Sequence, residues 1–148
     1  MAGVKGTFTS GQVSLSAATA KTAHTVVAAS NHRALITRIG IAFEGIVTTD
    51  TPVKVRVAKA TTAGTGTAST PVKRGDFGET LQSSGLKNLS AEPTLTDVYD
   101  DFAVHPQGGV IWNHYYADPL PVAGGARVGI ELTAPQAQTC RVVIDFEE

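Results

Sequence analysis

The chain has 148 residues, a formal net charge of −1, 42% hydrophobic residues and only 17% charged ones, with 15 Gly, 19 Thr and 16 Val against one Cys, one Met and one Trp. A lone Cys140 excludes an internal disulfide framework and every multi-cysteine zinc pattern, and a pI of about 6.4 lacks the basic footprint that nucleic-acid phosphates select. No apolar run reaches the ~20 residues of a membrane span and no charged leader with an apolar core opens the chain, so the expectation is a single domain made in the cytoplasm that buries roughly 70% of its unfolded surface.

Residues 1–11 place Val4 and Phe8 among three glycines and read as an extended N-terminal arm, with a reach of roughly 35–40 Å. Residues 12–16 start a strand. Residues 16–21 hold one helical turn at most, because Thr19 and Thr22 disfavour more. A strand follows over 25–29, and Ser30-Asn31 signals a turn. In 33–43 the odd positions Leu35, Thr37, Ile39, Ile41 and Phe43 form one face, with Arg38, Gly40 and Ala42 on the other. After Asp50-Thr51-Pro52, Val53, Val55 and Val57 alternate with Lys54, Arg56 and Ala58.

The stretch 61–70 (TTAGTGTAST) has no core-building residue and is expected to be an exposed loop tip. Strands are predicted over 97–104 and 109–115, on either side of a Pro106-Gln107-Gly108-Gly109 turn. In 126–133, Val128, Ile130 and Leu132 alternate with Arg127, Gly129 and Glu131. In 140–147, Cys140, Val142, Ile144 and Phe146 alternate with Arg141, Val143, Asp145 and Glu147. Half-buried antiparallel strands of this length and spacing predict an all-β antiparallel β-sandwich, jelly-roll-like, formed by residues 12–148 behind the arm.

Chemistry-bearing residues do not converge along this chain. His24, His32, His105 and His114 form none of the spacings that put two imidazoles on one face, and are expected on the surface or in turns, with no metal and no cofactor. Asp100 and Asp101 are adjacent on a strand, so they point to opposite faces; with Asp97 they read as the acids of an edge strand. Cys140 shares its face with apolar residues and reads as a small core side chain. No Gly-x-Ser-x-Gly elbow is present, and Gly64-Thr65-Gly66 lacks the Lys-Ser/Thr of a phosphate loop. An enzyme is therefore not expected.

Contact residues are the better candidates. Arg38, Lys54, Arg56 and Lys59 would form a basic row on the outer faces of two successive, pairing strands, suited to an acidic protein partner. The run VIWNHYY over 110–116 is apolar or aromatic on both faces, so Trp112, Tyr115 and Tyr116 are candidates for a subunit contact.

Residues 13–36 (VSLSAATAKTAHTVVAASNHRALI), 52–73 (PVKVRVAKATTAGTGTASTPVK) and 104–148, with HPQGGVIW, PLPVAGGARVGIELTAP and a terminal VVIDFEE, resemble the small head-decoration, or cement, proteins of tailed bacteriophages. The resemblance covers the chain from about residue 12 onward and rests on strand-and-turn text. It implies a jelly-roll-like protein that assembles as a homotrimer on the outer surface of the capsid. There it binds between subunits of the major capsid protein and helps the shell resist internal pressure. In that picture the arm, with Val4 and Phe8, would lie along a capsid subunit or a neighbouring copy, and the 61–70 loop would project. A carbohydrate- or host-surface-binding β-sandwich module of the phage particle is the alternative, and it would use Trp112, Tyr115 or Tyr116 as stacking platforms.

Overall fold

The structure, a computed structural model, describes residues 3–44, 51–75, 78–112 and 117–148, with Trp112 described through its backbone alone. Thirteen strands follow in chain order among these residues. They are β1 (Lys5–Thr9), β2 (Val13–Leu15), β3 (Ala20–Val27), β4 (Ala34–Glu44), β5 (Val53–Ala60), β6 (Thr65–Ser69), β7 (Val72–Lys73), β8 (Ser84–Ala91), β9 (Leu95–Val104), β10 (Val110–Trp112), β11 (Leu120–Val122), β12 (Arg127–Thr133) and β13 (Gln138–Glu147). The described residues contain no helix; the segment expected to hold one turn is a β-turn in which Ala18 takes a positive φ of 55°.

The strands form two antiparallel sheets. Sheet I runs β10-β4-β13-β1-β7, with β11 also on β4 and β2 also on β13; sheet II runs β6-β8-β3-β12-β5-β9. The pairings nest: β1 with β13, β3 with β12, β4 with β10 and β11, β5 with β9. Pairing the first strand with the last and closing inward is a long hairpin rolled over itself, the jelly-roll arrangement of a β-sandwich. The excursion β6–β8 is inserted between β5 and β9. It extends sheet II through β6 and β8 and sheet I through β7.

Alternation explains why the faces meet. From sheet I, Phe8, Ile36, Ile39, Ile41, Cys140, Val142, Ile144 and Phe146 point inward; from sheet II come Val26, Val53, Val55, Val57, Val128, Ile130 and Leu132. Burying this many aliphatic side chains at roughly 1.5–3 kcal/mol each drives the two sheets together. One expected face changes phase. In β4 the buried residues are Ala34 and Ile36, then Ile39 and Ile41, so Leu35 and Thr37 leave the core face. The pairing with β13 slips there: Ile36 opposes Phe146 and Arg38 opposes Asp145, leaving Thr37 as the extra residue of a β-bulge.

Two further expectations are corrected. Residues 1–11 do not form a free arm: Lys5–Thr9 is an internal strand of sheet I between β13 and β7, and Phe8 is fully buried. Its ring stacks on Phe146 at 4.9 Å and lies 5.1 Å from the His24 ring. Gly6 belongs to this packing, since a Cβ there would sit 2.6 Å from the Phe146 ring. The 61–70 stretch is not a loop tip throughout, because Thr65–Ser69 pairs with β8 and ends on a buried Ser69. Small residues suffice there, since the strand lies at a sheet edge and closes few apolar contacts.

Candidate functional site

The expected basic row does not exist as one surface. The strands β4 and β5 lie in different sheets, so Arg38 is on sheet I while Lys54, Arg56 and Lys59 are on sheet II. Each cation also meets an acid of the same chain: Lys54 reaches Asp101 at 4.0 Å, Arg56 reaches Glu131 at 3.2 Å and Lys59 reaches Asp97 at 3.8 Å. Asp97 and Asp101 stand on β9, the edge of sheet II, where acids oppose unwanted strand pairing. On sheet I, Arg38 lies 2.7 Å from the buried carboxylate of Asp145. That carboxylate also accepts from Arg74 at 2.9 Å and from the Thr7 hydroxyl at 2.8 Å. Arg141 pairs with Glu44.

The histidines separate. His24 is fully buried, contrary to the surface or turn expected of it, and its Nε2 shares a 2.9 Å hydrogen bond with the Ser69 hydroxyl. Gly85 of β8 makes this reach possible, because a Cβ there would press on the His24 ring and the Thr25 carbonyl. The His24 Nδ1 is enclosed without a well-formed hydrogen bond. Burial lowers the pKa to about 4, aided by Lys87 and opposed by a backbone contact at Thr25, so the ring is neutral at pH 7.

His32 lies 3.5 Å from the Glu148 carboxylate. Burial would raise the Glu148 pKa, but donors at Ser83, Gln82 and His32 outweigh it and hold the group below its ordinary value. His105 follows β9 and its Nδ1 accepts from the Gln107 amide, and His114 lies outside the described residues. Cys140 is buried, and burial pushes its thiol up to about 12. No group of three or more His, Cys, Asp or Glu among the described residues is placed to hold a metal ion.

The remaining contact candidates divide as follows. Phe8 belongs to the core, and Val4 is half-buried, its backbone bonded both ways to Glu148. Tyr115, Tyr116 and the Trp112 side chain lie outside the described residues, though the Trp112 backbone pairs with Ile39.

Large apolar side chains stand uncovered at sheet edges: Val72 on β7 (68% exposed), Val98 and Tyr99 on β9 (41% and 42%), and Ile111 on β10 (64%). Ile111 borders a shallow depression of about 280 Å³ on the outer face of sheet I, shaped by Gly40, Ala42, Val143, Arg38 and Arg141. The sequence named Arg38 but not Asp145, Arg74 or Ser69, whose importance comes from pairing across distant strands. Gly40 did carry a local signal, being a glycine inside a strong strand pattern. Comparison with protein-family models, with curated proteins and with solved structures found no match to this chain.

Proposed function

We propose that this protein is a structural component of a bacteriophage head, decorating and stabilising the outer capsid surface as a trimer bound between major capsid protein subunits. One observation carries the reading: Arg38, Lys54, Arg56, Lys59 and Arg141 each meet an acid of the same chain, while Val72, Val98, Tyr99 and Ile111 project from the edges of both sheets into water. A surface that leaves large apolar groups uncovered at its sheet edges is suited to broad contact with other protein. The nested, double-layered jelly roll supplies a stiff body for that contact. Repeated capsid sites add avidity, so no single contact needs to be strong. The resemblance of residues 13–36, 52–73 and 104–148 to head-decoration proteins points the same way.

Co-sedimentation tests it. The purified protein should saturate expanded heads of the encoding phage and leave immature ones bare; equal binding to both, or to neither, overturns the reading.

A further inference from the structure

The hydrogen bond between His24 and Ser69 spans a strand. Ser69 ends β6, the edge of sheet II, and only β8 lies between β6 and β3. At this level β8 carries Gly85, which pairs with Ser69 on one side and Val26 on the other, so the ring and the hydroxyl meet over a position without a side chain.

Little else fixes β6 in place. Among its five residues only Ser69 is buried. Its pairing with β8 is irregular: β8 advances from Lys87 to Ala91 while β6 covers only Thr67 to Thr65, and Asn88 inside that stretch takes a positive φ of 48°. The strand β7, which follows after Thr70 and Pro71, is paired with β1 only at Val72 and Lys73. Leu89 of β8 is buried against Gly64 and Gly66.

A proton on His24 would find no counter-charge in this position. The strands β6 and β2 carry no titratable side chain. On β8, Lys87 stands directly opposite the ring and repels a second positive charge. On β12, Ile130 opposes the ring, while Arg127 and Glu131 alternate with the core residues and Glu131 is held by Arg56. From β1 comes the Phe8 ring, with Lys5 at the exposed start of that strand. On β13, Arg141, Asp145 and Glu147 alternate with the core residues Cys140, Val142, Ile144 and Phe146 and turn away. On β3 itself the other charged side chain is Lys21, and Glu92 beyond β8 accepts from the Thr22 amide. The Nδ1 atom lacks a well-formed hydrogen bond as well. A charged imidazole enclosed in this way is stabilised only by water.

We infer that β6 is an acid-released flap: when His24 takes up a proton, Thr65–Ser69 parts from β8, water reaches the ring over Gly85, and the rest of the sandwich stays folded. Release bares Leu89 and the backbone edge of β8, so the open form presents an apolar side chain beside an unpaired strand. The ring binds a proton with a pKa of about 4 when closed in and 6.5 in water, so the opening equilibrium rises about 20-fold from pH 7 to pH 5. The flap goes beyond the capsid reading and does not depend on it.

Native-state hydrogen exchange on the full chain tests it, at pH 7 and pH 5 and over a range of low urea concentrations, with intrinsic exchange rates divided out. The β6 amides bonded to β8 are expected to lose about 20-fold in protection at pH 5. They should do so through an opening nearly independent of urea, whereas amides of β12 and β13 open with the steep urea dependence of global unfolding. In His24→Gln the β6 amides should lose this response to acid. If that variant fails to fold, Ser69→Ala replaces it, and its β6 amides should exchange faster at pH 7 while still responding to acid. The flap is overturned by β6 amides that share the urea dependence of β12 and β13, or that stay fully protected at pH 5. It is equally overturned by an unchanged acid response in His24→Gln, or by Ser69→Ala amides that exchange as in the wild type.

Discussion

Acid should destabilise this fold through His24. Its ring is neutral in the core with a pKa of about 4, against 6.5 for an unperturbed histidine. As pH falls through 6.5, the unfolded chain takes up a proton that the native chain refuses, so stability drops until the native value is passed. At about 1.4 kcal/mol per tenfold difference in proton affinity, the loss relative to neutral pH is about 2 kcal/mol at pH 5 and about 3 kcal/mol at pH 4. Glu148 adds to this at the acid end, since its lowered pKa gives stability above its ordinary value that is lost as pH falls through the folded one. Urea unfolding between pH 7 and pH 4, on the wild type and His24→Gln, measures the effect. The variant should be less stable at neutral pH but lose far less between pH 6.5 and pH 5. A wild-type midpoint that stays flat to pH 5, or an identical slope in the variant, would refute the reasoning.

Phe8→Ala should cost about 3–5 kcal/mol by opening a cavity between Phe146 and His24, measured by chemical denaturation. Deleting residues 1–9 should unfold the protein, because an internal strand is lost with it; a truncated chain that kept its cooperative melt would contradict the placement of β1. Gly85→Ala should cost about 1–3 kcal/mol, since the Thr25 backbone and the His24 ring occupy the space its methyl needs. The Cys140 thiol, pushed up to about 12, should resist alkylating reagents at pH 8 in the native state and react on unfolding.

The strands β5, β12 and β13 were legible because one face of each is buried and the other is not, which writes period two into the sequence. The edge position of β9 was legible from its acids. Other elements depend on information that no local window holds. The strand β1 reads as an extended arm because three glycines accompany Val4 and Phe8, yet a Cβ at Gly6 would collide with the Phe146 ring of β13. The change of face in β4 is set by a bulge against Asp145, a residue more than one hundred positions away. His24 looks like a surface histidine until β6, made of small residues, brings Ser69 to it over Gly85. Arg38 and Lys54 are near in sequence but belong to different sheets, because the jelly roll sends β4 and β5 to opposite layers.

These corrections change which parts of the molecule are available for contact. The arm and the basic row are taken up by the fold itself, through Phe8 in the core and through ion pairs on both sheets. Among the described residues, the exposed large apolar side chains stand at sheet edges, and Ile111 borders the depression around Gly40 on the outer face of sheet I. The exposed apolar edges are the groups that gain most from a partner.

Electron cryo-microscopy of expanded heads incubated with the protein tests the capsid role most directly. Three-fold knobs of density over the seams between major capsid protein subunits, absent from untreated heads, are the predicted result; treated heads indistinguishable from untreated ones would contradict it.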